Sequence, residues 1–320
     1  MATSGSTDFN MTRNEIIQDA FLLIGVLGAE ESLDASDQAI AARALNRMIK
    51  AWQAQGINIW RYQEGTLFFD TANQAKWTLS STSIGDDFSD SVVTTTTGAD
   101  EAAAQTTITV TSSTGMTASD WIGIELDDGT LHETTISSVD DSTTITIASG
   151  LASAASSGNE VFTYTTKAAR PVRIESIRIR SSDDNDFNLE QLSRDEYFSL
   201  PTKDTTSGRP TGWYYDPGRG DTEGGTLYLW PRPDDVTLRA KITYVRTIED
   251  FDSATDNPDL PVEWLDAIVY NLATRLGPMY GKDQKVINTI APLAQTFLEE
   301  AKEFDNETGD FRVVPERRFD

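Results

Sequence analysis

Between Lys76 and Lys167 the chain carries no Lys or Arg at all, while thirteen Asp and Glu fall within residues 77–166. A stretch this long with a one-signed surface has to form its own unit, because the flanking sequence mixes both signs of charge. It is not a solvated acidic tract. TTITVTS (106–112) alternates apolar and polar residues, DWIGIELDDGT (120–130) reads as strand then turn, and HETTISSV, STTITIAS and EVFTYTT read as further strands. Asp127-Asp128-Gly129 is a tight-turn signal. The expectation is an inserted small β-barrel or sandwich over about residues 84–166.

The flanks differ in period. Thr12-Arg13-Asn14-Glu15 forms a capping-box pattern ahead of Ile16, Ala20, Leu23, Ile24 and Leu27 at helical spacing. A second helix carries Ile40, Ala44, Leu45, Met48, Ile49 and Trp52 on one face and stops at Gly56. Residues 57–70 then turn strand-like. After the acidic stretch, RPVRIESIRIR (170–180) alternates, and Ser193 caps a short helix. Strands follow at about 212–216, 226–231 and 236–246, in an antiparallel style. Two helices close the chain, one carrying Trp264, Leu265, Ile268, Leu272 and Leu276, the other Val286, Ile290, Leu293, Ala294, Phe297 and Ala301.

These signals predict an α+β chain framed by a helical bundle. The N- and C-terminal hairpins would pack on each other, with antiparallel β segments and the small all-β domain projecting from them. The expected organisation is a core domain made from residues 1–80 and 168–310, an inserted acidic domain at 81–167, and a docking tail at 311–320.

Composition limits function. A formal net charge of −25 argues against gripping nucleic acid, which needs clustered Lys and Arg. It suits a protein that surrounds DNA without holding it. The absence of Cys fits a reducing compartment or an assembly that does not rely on redox chemistry. No apolar run reaches the roughly 18 residues that a membrane span needs, and the opening MATSGSTDFN does not read as a signal peptide.

Chemistry is sparse. The one histidine, His132, has no nucleophile signature beside it and reads as structural. Asp183-Asp184-Asn185-Asp186 departs from a calcium loop, since Phe187 and Asn188 stand where a ligand and the turn glycine belong. Arg219-Gly220-Asp221 reads as turn chemistry. No phosphate-binding loop, metal site or cofactor site is expected. The aromatic runs Trp213-Tyr214-Tyr215 and Tyr228-Leu229-Trp230 read as core or interface, with a carbohydrate platform as the other possibility.

TRNEIIQDAFLLIGVLGAEESLDASDQAIAARALNRMIKAWQAQGINIW (12–60) and PVEWLDAIVYNLATRLGPMYG (261–281) resemble the N-terminal hairpin and the C-terminal helix of tailed-phage head-to-tail adaptor proteins, especially the podovirus-like ones. The resemblance implies a non-enzymatic virion protein that forms a twelve-subunit ring beneath the portal protein ring, extends the DNA channel and meets tail or nozzle proteins. Trp52, Trp60, Trp264, Leu272 and Phe297 would serve the bundle core or a subunit interface. Phe311, Arg312, Val313, Val314, Arg317, Arg318 and Phe319 would form a portal-binding tail, because Pro315 favours an extended peptide. The alternative is a virion-associated carbohydrate-binding or cell-wall-degrading protein.

Overall fold

The computed structural model describes residues 5–6, 8–28, 31–54, 61–70, 72–181, 185–203 and 205–304. The chain divides into two units, Met1–Arg61 with Ile248–Asp320, and Tyr62–Thr247.

The first unit is helical. Its helices are α1 (Arg13–Leu23), α2 (Ala35–Gln53), α4 (Leu265–Met279) and α5 (Gln284–Phe304). The Thr12 hydroxyl accepts from the Glu15 amide and the Glu15 carboxylate accepts from the Thr12 amide at 2.7 Å, which satisfies two orphan donors at the start of α1. Ile16, Phe21, Leu45, Met48, Trp52, Trp264, Ile268 and Leu272 share one core. The Trp52 and Trp264 rings lie 5.7 Å apart there.

The second unit holds β1 (Tyr62–Phe68), β2 (Lys76–Leu79), β3 (Phe88–Ser89), β4 (Val93–Thr96), β5 (Thr107–Thr109), β6 (Trp121–Glu125), β7 (Leu131–Val139) and β8 (Thr144–Ile147). It continues with β9 (Glu160–Tyr164), β10 (Arg173–Arg180), β11 (Asp186–Asn188), β12 (Glu190–Gln191), α3 (Arg194–Ser199), β13 (Gly212–Asp216), β14 (Gly225–Trp230) and β15 (Arg239–Val245). Three sheets result, ordered β11-β10-β15-β1-β3, β12-β13-β14-β2 and β4-β9-β6-β7-β8-β5.

Strands on either side of the acidic stretch pair with each other. β1 runs antiparallel to β15 from Tyr62 opposite Val245 to Phe68 opposite Arg239, and β2 pairs with β14. Every strand of the six-stranded sheet, by contrast, comes from within the acidic stretch. Its outer strands β4 and β5 meet through a bridge between Thr97 and Val110, so the sheet curls round towards a barrel. Gly129 sits at φ +77° in the turn between β6 and β7, a conformation that L side chains rarely adopt.

The helical-bundle framework is overturned. The chain is α+β, but its fifteen strands in three sheets outnumber the five helices among the described residues and build the whole of the second unit's framework. The terminal pairs do not pack as hairpin on hairpin either. α1, α2 and α5 each pack on α4, while α1 and α2 touch each other less. The reason lies in signal strength. The four long helices carry their 3.6-residue period over 11 to 21 residues. The strands run for only two to nine residues and gain weight by pairing with partners far away in sequence.

Candidate functional site

In the four-stranded sheet β2 and β14 alternate buried with less buried residues, so its two faces differ. Trp77, Leu79, Trp213, Leu227 and Leu229 point into a core shared with the five-stranded sheet. On the other face Lys76, Tyr228 and Tyr214 stand in one row across β2, β14 and β13, since Lys76 is opposite Tyr228 and Tyr228 opposite Tyr214. α3 lays Tyr197 and Phe198 against that row. Its start is fixed by a second capping box, in which the Ser193 hydroxyl accepts from the Glu196 amide and the Glu196 carboxylate accepts from the Ser193 amide at 2.7 Å.

Four rings meet there. Tyr214 and Tyr228 stack 5.5 Å apart, Tyr197 is 5.0 Å from Tyr228, and Phe198 is 5.7 Å from Tyr228 and edge-on to it. Phe198 is 47% exposed, an unusual position for a phenyl ring already held by three others. Cations rim the cluster: Lys76 lies 5.8 Å from the Tyr228 centroid, Arg194 5.5 Å and Lys203 5.9 Å from that of Phe198. Burial raises the Tyr228 phenol, and the Asp216 carboxylate adds to this, so it stays a neutral donor. Exposed aromatic surface edged with positive charge, on a chain of net charge −25, is suited to meeting an acidic protein surface.

A second cluster ties the acidic sheet to the strands beneath it. Phe68 of β1 stacks on Phe162 of β9 with centroids 3.4 Å apart, and Arg239 of β15 pairs with Glu160. Lys167 reaches Asp87 at 3.2 Å and the Gly85 carbonyl at 2.6 Å, and lies 5.4 Å from the Trp121 ring centroid. The Tyr164 hydroxyl donates to Asp87. A methyl group on Gly123 would fall 2.2 Å from the Phe162 ring, so this glycine is what lets Phe162 lie flat across β6.

Burial opposes the charge on Asp87, but hydrogen bonds from Glu133 and Tyr164, together with the Lys167 ammonium, hold its carboxyl below the usual range. Glu133 moves the other way. Much of its side chain meets solvent, yet its carboxyl is set against Asp87, and desolvation followed by the hydrogen bond and charge of Asp87 push it up to about 10. The native state therefore binds a proton at Glu133 that the unfolded chain has released. Stability from this group is full below the ordinary glutamate range and is lost as pH climbs from there towards about 10. Glu133→Gln keeps a donor for Asp87 without the proton. It is expected to raise the melting temperature at about pH 8 and to leave it unchanged near pH 4, as differential scanning fluorimetry can check. An equal shift at both pH values would remove the shared proton from the account.

The other sequence candidates resolve as follows. His132 is buried, with Nε2 3.2 Å from the Ser149 carbonyl oxygen and 3.4 Å from its hydroxyl, a tie between β7 and the segment after β8. Asp186 is held by Arg180 at 2.8 Å, and residues 182–184 lie outside the described residues. Arg219 pairs with Glu223, and Asp221 accepts from the Arg170 amide. Of the aromatic runs, Trp213 is core and Tyr215 packs against it, whereas Tyr214 and Tyr228 face outward. Trp52, Trp264 and Leu272 lie in the helical core, and Phe297 is half-buried 4.8 Å from Tyr270. Trp60 and residues 311–320 lie outside the described residues.

Sequence reasoning missed Tyr197 and Phe198. The signal was present in Ser193-Arg194-Asp195-Glu196, which places the next two residues on α3, but only the sheet register shows what they meet. Among the described residues no cluster of His, Asp and Glu is arranged to hold a metal ion, and no helix is long and apolar enough to cross a membrane.

No curated protein sequence matches the chain. A family model for the SU10 adaptor protein matches residues 11–315, which takes in both units and the acidic sheet. The match spans nearly the whole chain, and so the chain belongs to the SU10 adaptor protein family, a family of bacteriophage structural adaptors.

Proposed function

We propose that this chain forms a ring at the head-to-tail junction of a tailed phage, below the portal ring, where it extends the DNA channel and carries the tail. Family membership over residues 11–315 carries the reading. Twelve copies would match a portal of the same symmetry. The aromatic and cationic face formed by Tyr197, Phe198, Tyr214 and Tyr228 is a suitable contact between neighbouring copies, because acidic surface is abundant on every other copy. Segment 311–320 is the part proposed to engage the portal, with Phe311, Val313, Val314 and Phe319 as anchors and Arg312, Arg317 and Arg318 as charge. Within the acidic stretch 81–167, residues 92–165 are proposed to act as a domain of their own, since β3 belongs to the five-stranded sheet. A channel wall rich in carboxylates would repel DNA and let it slide. The carbohydrate-binding reading gains little from the aromatic face, since only Phe198 of its four rings is well exposed, and Tyr197 is buried.

Two measurements test the proposal together. Negative-stain images of the protein mixed with its portal are expected to show a second ring stacked on the first. Quantified protein in purified virions is expected to match the portal copy for copy. Any other ratio would refute a ring matched to the portal.

A further inference from the structure

The helical unit has a groove of about 400 Å³ between α1 and α4, lined by Met11, Asp19, Leu22, Leu23, Asp266, Val269 and Tyr270. Its floor is apolar, and Leu22 is 36% exposed at its edge. Its charge is one-signed. Neither the Asp19 nor the Asp266 carboxylate has a hydrogen bond or an ion pair with any described residue. Partial burial, with the Glu15 charge adding to it, raises the Asp19 carboxyl, so a cation arriving there would relieve an existing cost.

We infer that this groove is the seat of the chain's own segment 311–320. Two observations select that occupant. The first is complementarity: the segment joins Phe311, Val313, Val314 and Phe319 to Arg312, Arg317 and Arg318, the reverse of the groove's apolar floor and acidic rim. An arginine can also meet a carboxylate in bidentate fashion while its stem lies on apolar surface.

The second is reach. The Asn271 amide on α4 donates to the Ala294 carbonyl on α5 at 2.9 Å, which fixes the register of the two helices. Tyr270, a wall of the groove, meets Phe297 of α5 at 4.8 Å. α5 then runs on to Phe304 past the short helical turn Val262–Trp264 that leads into α4, where Asp266 lies in the first turn. Residues 305–310 follow and can span up to ~20 Å when extended, about the length of the 15-residue α4 that carries Asp266, Val269 and Tyr270. The seat needs no partner protein and stands whether or not the ring forms. It gives the segment a resting position on its own chain, from which a tighter partner can take it.

The absence of cysteine allows a direct test on the full chain. Leu22→Cys with Val314→Cys places one thiol at the groove edge and one in the segment. Val262→Cys with Val314→Cys is the control, because Val262 is 46% exposed and lies in the turn beside α5, so a segment sampling its surroundings at random would meet it readily. Under mild oxidation the Leu22 pair is expected to close an intramolecular disulfide about tenfold faster than the control, reflecting a raised effective concentration. Adding Asp19→Lys and Asp266→Lys is expected to bring the rate down to the control's. Equal rates for the two pairs, or indifference to the charge reversals, would overturn the seat. Disulfide-linked dimers as the main product would overturn it too, by assigning the groove to a second copy. Portal capture, measured separately, reports on the proposed ring and not on the seat.

Discussion

Deleting residues 311–320 is expected to abolish capture of the chain by portal rings in a pull-down, while its thermal unfolding changes little. The loss should be large because the segment concentrates two phenylalanines, two valines and three arginines in ten residues, and interfaces draw most of their binding energy from a few aromatic and arginine anchors. Stability should shift by less than about 1 kcal/mol, because a seat that has to release its occupant can contribute only weakly in the free chain. Arg312→Glu with Arg317→Glu and Arg318→Glu is the milder version and should weaken capture most at low salt. Capture of the truncated chain at full strength would strip the segment of any docking role.

The second large effect concerns where the acidic stretch can be cut. Joining Ser80 directly to Lys167 removes β3, and with it Phe88, which is fully buried, packs 5.3 Å from Tyr244 and lies so close over Gly65 that a methyl there would fall 2.4 Å from its ring. The same cut takes away Asp87, the partner of Lys167. Loss of a buried phenylalanine costs about 3–5 kcal/mol, a large part of what holds a domain together. Joining Ser91 to Thr166 through a short Gly/Ser linker keeps β3, whose Ser89 hydroxyl donates to the Thr166 carbonyl at 2.9 Å, and uncovers Phe68 instead. The shorter excision is expected to melt cooperatively, and the longer one to melt well below it or to lose cooperativity. Indistinguishable melting of the two variants would mean that β3 contributes nothing to the five-stranded sheet.

Local readings were reliable where chemistry is local. The capping boxes at Thr12 and Ser193 are legible because a hydroxyl and a carboxylate three residues apart are enough to define them. The turn at Asp127-Asp128-Gly129 and the strands around Trp213 and Tyr228 are legible for similar reasons. What could not be read is pairing. Nothing near Tyr62 announces Val245 as its partner, and nothing near Leu67 announces Phe88. The balance between helix and sheet was misjudged for that reason, since long-range pairing turns many short strands into three sheets. The same holds for the aromatic face: Tyr214 and Tyr228 were visible as types, but their common side of the sheet follows from a register that no short window contains.

The bridge between Thr97 and Val110 has a consequence for crowding. Threonine-rich strands such as those at 93–96 and 144–147 have the composition that pairs readily with strands of other molecules, and many copies held side by side would raise that hazard greatly. Because β4 and β5 meet each other, the row of amides and carbonyls each would offer to a stranger is turned inward at that seam. The other two sheets end in β3, β11, β12 and β2, none longer than four residues, too short to template a fibril. A chain so rich in strands can thus be held at high local concentration with little open strand edge among its described residues for another copy to pair with.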